Sequence, residues 1–273
     1  MNTFPSFPQE KARLGLLGVA FDENSSYLRG PASAPQEIRK SFFCDSANLW
    51  SENEIDLGAD GIFSDAGDIT PPAVSMLAET ESAAERLYAA GLKVLAFGGD
   101  HSVTYPLVRA AAKYHPGLTI LHFDAHPDLY HDFNNNPQSH ASPFARIMEA
   151  GLARRLVQVG IRTINAHQRQ QAGRFGVEVL TMQNWREIFE LKFEAPLYLT
   201  FDMDCLDPAF APGISHREPG GLTTREALSI IQSIQPGIAS ADLVEFNPQQ
   251  DPSGMTGMLA AKVFKEIAAK MLA

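Results

Sequence analysis

The sequence predicts an α/β fold: a single three-layer αβα domain round a parallel sheet, with a binuclear metal site at the C-terminal ends of the strands. Three observations predict it. Apolar runs of strand length alternate with helical patterns along the whole chain. Several runs are apolar at nearly every position, as in strands buried on both faces. Three of them end in clusters of Asp and His. A chain of 273 residues, 45% hydrophobic, can bury a large core undivided, and no linker, repeat or low-complexity tract interrupts it, so residues 1–273 are expected to form one catalytic domain.

The elements follow in order. A strand is expected at 14–21 and a helix at 79–90. The run Val94-Leu-Ala-Phe97 gives a strand at 93–98, leading through Gly98-Gly99-Asp100-His101 into a helix at 103–113. Leu118-Thr-Ile-Leu-His-Phe123 gives a strand at 118–124, and Asp124-Ala-His126-Pro-Asp128 closes it. A helix at 142–150 and strands at 156–160 and 177–180 come next. Leu197-Tyr-Leu-Thr-Phe201 gives a strand at 196–202, ending in Asp202-Met-Asp204. A helix at 224–234, a strand at 238–245 ending at Glu245, and a helix at 256–271 complete the chain. The apolar stripe of the last helix suits packing on the sheet. Alternation of this kind means parallel βαβ units with right-handed crossovers. No Gly-x-Gly-x-x-Gly follows any strand, which excludes a dinucleotide fold of the usual sort.

Side chains two apart on extended chain share a face, so Asp124, His126 and Asp128 point together, as do Asp202 and Asp204, while His101 follows a third strand. Four carboxylates and two imidazoles can then converge on one volume, too much negative charge for one ion. Two divalent cations would neutralise it. The oxygen-rich, sulfur-free set suits Mn²⁺ better than a structural zinc, with Ni²⁺ or Co²⁺ as alternatives. Other acids and histidines read as structural: Asp207 shapes the loop before Pro208, Asp100 is a cap or a support for His101, His122 is a core histidine, and His115 and His131 are surface or loop residues.

These motifs resemble the ureohydrolase family, the arginases and agmatinases. The matching stretches are Gly98-Gly-Asp-His-Ser102, Asp124-Ala-His-Pro-Asp128, Ser139-His-Ala-Ser-Pro-Phe144, Thr200-Phe-Asp-Met-Asp204, Asp207-Pro-Ala-Phe-Ala-Pro-Gly213 and Pro219-Gly-Gly-Leu-Thr223. Phe21 to Gly30 and Asp242 to Pro248 resemble the family's opening and last strands, so the match runs over about residues 14–265. The resemblance implies that His101, Asp124, Asp128 and Asp202 hold one Mn²⁺ and that Asp124, His126, Asp202 and Asp204 hold the other. A water activated between them attacks a guanidinium carbon. His140 then carries a proton to the leaving amine, and Glu245 grips the guanidinium in fork geometry. Arg162 is the competing partner for Glu245. Homo-oligomers are usual in the family.

The implied reaction is agmatinase-like, agmatine to putrescine and urea. Arginase, guanidino-acid hydrolase and formimidoylglutamase are alternatives, and a catalytically silent metal-binding homologue is an alternative of another class. Substrate contacts are expected at Asn135 and Asn136 in the loop before Ser139, at Asn165, which stands where arginases present an aspartate, and at His216 and Arg217. An Arg217 facing the pocket would repel agmatine's ammonium group.

The net charge of −10 favours a small cationic guanidino substrate and disfavours nucleic acid, and no basic run exists to follow a phosphate backbone. No run approaches the ~18 apolar residues of a membrane span, and the first eight residues lack a signal's pattern. Cys44 and Cys205 form no paired motif. The expected setting is the cytoplasm.

Overall fold

Eight strands form one parallel sheet in the order β2-β1-β3-β8-β7-β4-β5-β6 in a computed structural model, which describes residues 3–235 and 237–273. The strands are β1 Leu14–Val19, β2 Phe63–Ile69, β3 Lys93–Phe97, β4 Leu118–Phe123, β5 Ala153–Ile161, β6 Glu178–Thr181, β7 Leu197–Asp202 and β8 Ile238–Val244. Seven of them are the expected ones within a few residues. β1, β4 and β7 are buried along their whole length, as uniform apolar runs demand.

Helices cover both faces. α1 Ala34–Phe42, α6 Thr224–Ser233 and α7 Met255–Leu272 pack on one side, where Ile38, Phe42, Leu228, Ile231 and Phe264 meet Leu14, Leu16, Phe97, Phe123 and Phe201. α2 Met76–Ala89, α3 Thr104–Tyr114, α4 Pro143–Glu149 and α5 Ala166–Phe175 cover the other, where Met76, Leu87, Leu107, Phe144 and Ala172 meet Leu17, Val94, Ile120 and Tyr198. α7 packs against β8, α1 and α6, and is buried over most of its surface.

Three elements were not expected, and each hides for a physical reason. β2 lies at the sheet's edge with Asp65 to Ile69 only partly buried, so its sequence carries no apolar run. α1 starts on Ala34-Pro35, with Pro at its first turn. α5 buries only Gln168, Gln171 and Ala172, so it has no apolar stripe, and its Asn165–Gln168 capping box is the only strong signal.

The strand order places the site. β3, β8, β7 and β4 are the four central strands and immediate neighbours, and their carboxyl ends carry His101, Glu245, Asp202 and Asp124.

Candidate metal centre

β4 and β7 stop at Phe123 and Asp202, and tight turns rather than extended alternation bring the acids together: Asp204 lies in a single 3-10 turn, Met203–Cys205, and the 124–128 segment bends before Asp128. The close approaches depend on glycine. A Cβ on Gly99 would lie 1.7 Å from the carbonyl oxygen of Phe21, and Gly160, at φ +98°, sits 2.9 Å from the carbonyl oxygen of Asp124 by the same measure. Asp128 (φ 48°) and Glu245 (φ 62°) occupy the left-handed region that non-glycine residues avoid, and both side chains point into the site.

The six expected ligands are together. His101 Nδ1 lies 3.2 Å from Asp124 Oδ2, 3.1 Å from Asp128 Oδ2 and 3.1 Å from Asp202 Oδ2. His126 Nδ1 lies 3.1 Å from Asp204 Oδ2 and 3.3 Å from Asp124 Oδ1. Backbone N–H groups steady the carboxylates: Asp204 donates to Asp202 Oδ1 (2.8 Å), Ala125 to Asp204 Oδ1 (3.1 Å) and His126 to Asp124 Oδ1 (2.6 Å). His101 Nδ1 is fully buried, ringed by three carboxylate oxygens, and makes no hydrogen bond to any of them. A buried ring nitrogen in that state fits a cation among the oxygens, and the donor set, with no sulfur, fits two hard or borderline divalent ions.

The charges of this cluster are strongly coupled. Burial pushes Asp202 and Asp204 up, and repulsion from Asp124 and between the two adds to it. Burial also opposes the charge on Asp124, but His122, His101 and His126 outweigh it and hold that carboxyl well below the usual range. The same contacts hold His101 and His126 well above theirs against the penalty of burial.

A cavity of about 310 Å³ opens over the acids. Asp128, Asp202, Asp204 and His126 form its floor, His140, Glu245, His216 and Ser26 one wall, and Tyr130, Phe133, Thr163, Ile164, Asn165 and Gln168 the outer wall. His140 Nδ1 is 2.9 Å from Glu245 Oε1, and His140 Nε2 is 2.8 Å from Ser26 Oγ. Burial opposes a charge on His140, yet Glu245 holds its pKa up at about 9. Glu245 Oε1 also accepts the backbone N–H of His101. Arg162 does not pair with Glu245: its guanidinium donates to the carbonyls of Asp204, Cys205, Leu206 and Glu218, which pins the turn after Asp202.

Three expected contacts lie elsewhere. Arg217 is turned away from the cavity, donating to the Pro212 carbonyl and to Gln250 Oε1. Asn134 and Asn135 (φ 55° and 60°) form a two-residue left-handed turn closed between Phe133 and Asn136, so Asn135 is spent on the backbone. Asn136 donates to Asn24 Oδ1 and accepts from the Gln138 N–H, tying that loop to the Asn24 segment. Asn165 does reach the cavity, but as the cap of α5: its Oδ1 accepts the Gln168 N–H and its Nδ2 donates to the Tyr130 hydroxyl (2.6 Å). Asp100 is a cap, accepting from the Ser102 and Asn24 N–H groups, and Asp207 accepts from those of Ala209, Gly220 and Gly221.

Sequence reasoning missed Ser26, Tyr130, Thr163 and Gln168. Tyr130 was within reach of the sequence, because it continues the two-residue spacing of Asp124, His126 and Asp128. Ser26 comes from a loop more than a hundred residues from His140, and no local pattern marks it.

The "Arginase family" model matches residues 12–269. The chain is 46% identical to "Arginase 1, mitochondrial" of Arabidopsis thaliana, covering 96% of this chain and 82% of that protein. It is 37% identical to "Agmatinase" of Proteus mirabilis, covering 91% and 84%. Among solved structures, the arginase from Medicago truncatula superposes with a TM-score of 0.91 at 43% identity, covering 96% of this chain and 88% of that one.

Proposed function

The chain belongs to the arginase family of metal-dependent amidinohydrolases, and from that premise we propose that it hydrolyses L-arginine to urea and an amine with two Mn²⁺. In this reading His101, Asp124, Asp128 and Asp202 hold one ion and Asp124, His126, Asp202 and Asp204 the other, with Asp124 and Asp202 shared. The bound pair would supply a water molecule made acidic enough to act as a nucleophile near neutral pH. Glu245 orients the planar guanidinium with paired hydrogen bonds over that floor. His140 is the acid. Its Nδ1–H is held by Glu245, so the Nε2–H, opposite Ser26 Oγ, is the proton available to the leaving amine. The observation that carries the chemistry is the buried His101 Nδ1 amid three carboxylates, with Glu245 and His140 facing the same cavity.

The tail reading rests on the outer wall, and it shifts the preference from agmatine to arginine. No carboxylate lines the cavity, among the described residues, beyond Asp128, Asp202, Asp204 and Glu245, so a distal ammonium such as agmatine's meets no counter-charge there. Tyr130 suits an anionic tail. The Gln168 N–H can only donate, so Asn165 turns its oxygen to Gln168 and its nitrogen to Tyr130; the Tyr130 oxygen therefore accepts and its own proton is left for a carboxylate. Plant relatives named arginase are 44–46% identical, and bacterial relatives named agmatinase, from Proteus mirabilis and Serratia proteamaculans, 36–37%. Agmatine stays as a second reading because Arg217, turned aside, puts no repelling cation in the cavity.

Urea release by Mn²⁺-loaded protein from L-arginine, agmatine and guanidinobutyrate, with formimidoylglutamate in parallel, tests both levels. Preference for agmatine overturns the tail reading alone; no turnover of any of them, with two ions bound, favours a silent homologue. A cytoplasmic setting and a homo-oligomer complete the proposal. No helix of the described residues is long and apolar enough to cross a membrane.

A further inference from the structure

Beneath the ligands lies a second polar tier. The register pairs Gln158 of β5 with His122 of β4, His122 with Thr200 of β7, and Thr200 with Asp242 of β8, so four polar residues sit side by side across four strands. All four are fully buried. Each lies two residues before the tier above it, where Asp124 and Asp202 stand, and so faces the same side of the sheet. Burying such a row carries a penalty unless its hydrogen bonds are made. Thr200 Oγ1 meets His101 Nε2 at 3.1 Å, and Tyr198 donates to Asp242 at 2.7 Å. His122 and Gln158 form the other half of the row.

Gln158 Nε2 lies 2.6 Å from the Pro127 carbonyl oxygen and 3.0 Å from His122 Nδ1, while His122 Nε2 lies 2.7 Å from Asp124 Oδ2. The directions of these bonds are forced. A carbonyl oxygen only accepts, so the amide nitrogen, not the oxygen, faces Pro127. That nitrogen's second proton points at His122 Nδ1, which must then offer its lone pair. The imidazole proton is left on Nε2, aimed at Asp124. Gln158 Oε1 is buried without a partner, so the amide orientation is held at the expense of an unmet acceptor, which marks these two donations as the ones the fold retains. Phe144 stacks on the His122 ring, centroids 3.9 Å apart, and blocks rotation.

We infer that Gln158 is a positioning residue for the metal centre. Through His122 it fixes an N–H donor on Asp124, and through Pro127 it anchors the backbone immediately before Asp128, whose left-handed conformation needs a restraint. One amide thus steadies both ends of the Asp124–Asp128 segment and its two carboxylates, one of which the proposed function makes a shared ligand; the inference rests on that reading. It also explains why His122, although grouped with His101 and Asp124 by distance, is not a ligand: both of its nitrogens are committed.

The test starts on the wild-type protein stripped of metal. Nitrogen-15 NMR of labelled histidine should show His122 locked as the Nε2–H tautomer; the Nδ1–H form, or exchange between the two, overturns the inference whatever the enzyme's activity. Gln158→Leu removes both donations, and Gln158→Glu reverses the one to His122 while keeping shape. Calorimetric titration with Mn²⁺ alone should show affinity weakened by about 10–100-fold in both variants. His122→Phe should lose a similar amount and make the added effect of Gln158→Leu smaller than its effect alone. Undiminished Mn²⁺ affinity in folded Gln158→Leu refutes the role. Failure of the wild-type protein to bind Mn²⁺ at all would instead count against the proposed function, leaving the tautomer result to stand or fall by itself.

Discussion

Removing one carboxylate charge from the floor should be read first in metal content. Asp204→Asn keeps the shape of a side chain that accepts from Ala125 N–H and faces His126, but withdraws one of the four charges that balance two divalent ions. We expect loss of about one ion per chain by elemental analysis and loss of urea release; full activity would contradict the site. Glu245→Gln should leave both ions in place and weaken guanidinium binding, and in metal-free protein it should drop the His140 pKa from about 9 towards the ordinary 6.5, followed by NMR titration. The sign is fixed by the pair. Because the folded pKa is raised, its contribution to stability is full below 6.5 and fades as pH rises through about 9. Tyr130→Phe should raise KM for arginine with little change in kcat, and leave agmatine unaffected. At this scale the gathering of the expected ligands was legible in the spacing of acids and histidines at the strand ends, although turns, with Asp128 left-handed and Asp204 in a 3-10 turn, bring them together where extended alternation was expected. Asn135, Asn136 and Arg217 were misplaced because loop side chains obey no such period; their directions follow from turns and from distant partners such as Asn24 and Gln250.

Helix ends are where the elements state their boundaries. α6 opens on a reciprocal pair, Thr223 Oγ1 accepting from the Glu226 N–H while Glu226 accepts from the Thr223 N–H. Thr223→Ala should destabilise the protein by about 1 kcal/mol, lowering Tm by ~2–4 °C for a chain of this size, without changing the Mn²⁺ content; an unchanged Tm would show that α6 is held by packing alone. The carboxyl end of α7 is met by cations from other elements, Lys93 of β3 and Arg13 donating to the carbonyls of Met271 and Leu272. That contact ties the last helix to the amino-terminal part of the sheet across most of the sequence, and no local pattern announces it. The same limit explains the missed elements. α5 and β2 expose much of their length, so the apolar periodicity that revealed β4 and β7 is absent from them, and they form because neighbouring β5 and β1 offer a sheet edge and a face to cover.

For the whole molecule, folding, metal and pH are linked through one cluster. Seven strand positions and the clusters at their carboxyl ends could be read in advance because the sheet is parallel and buried, and such a sheet opens to a ligand beyond the carboxyl ends of its strands. The order of strands that brings β3, β8, β7 and β4 together could not, since it depends on crossovers between distant segments. In metal-free protein the concentrated carboxylates hold His101 and His126 well above 6.5 despite burial. Raised imidazoles stabilise the fold below 6.5 and lose that contribution as pH rises through their folded values; Asp202 and Asp204, raised by burial and repulsion, act in the same direction above 3.8. Asp124 and Glu245, held low, act in the opposite sense, losing their contributions as pH falls. Chelator-treated protein should therefore lose thermal stability from neutral to alkaline pH. Mn²⁺ should reverse the loss, adding about 2.7 kcal/mol when free metal is a hundredfold above Kd. Binding must also expel protons from imidazoles that become ligands. Calorimetry in buffers of different ionisation enthalpy should show proton release near pH 7 and affinity that strengthens as pH rises. A heat independent of buffer would mean that His101 and His126 are already neutral before the metal arrives, and that the carboxylates around them are balanced in some other way.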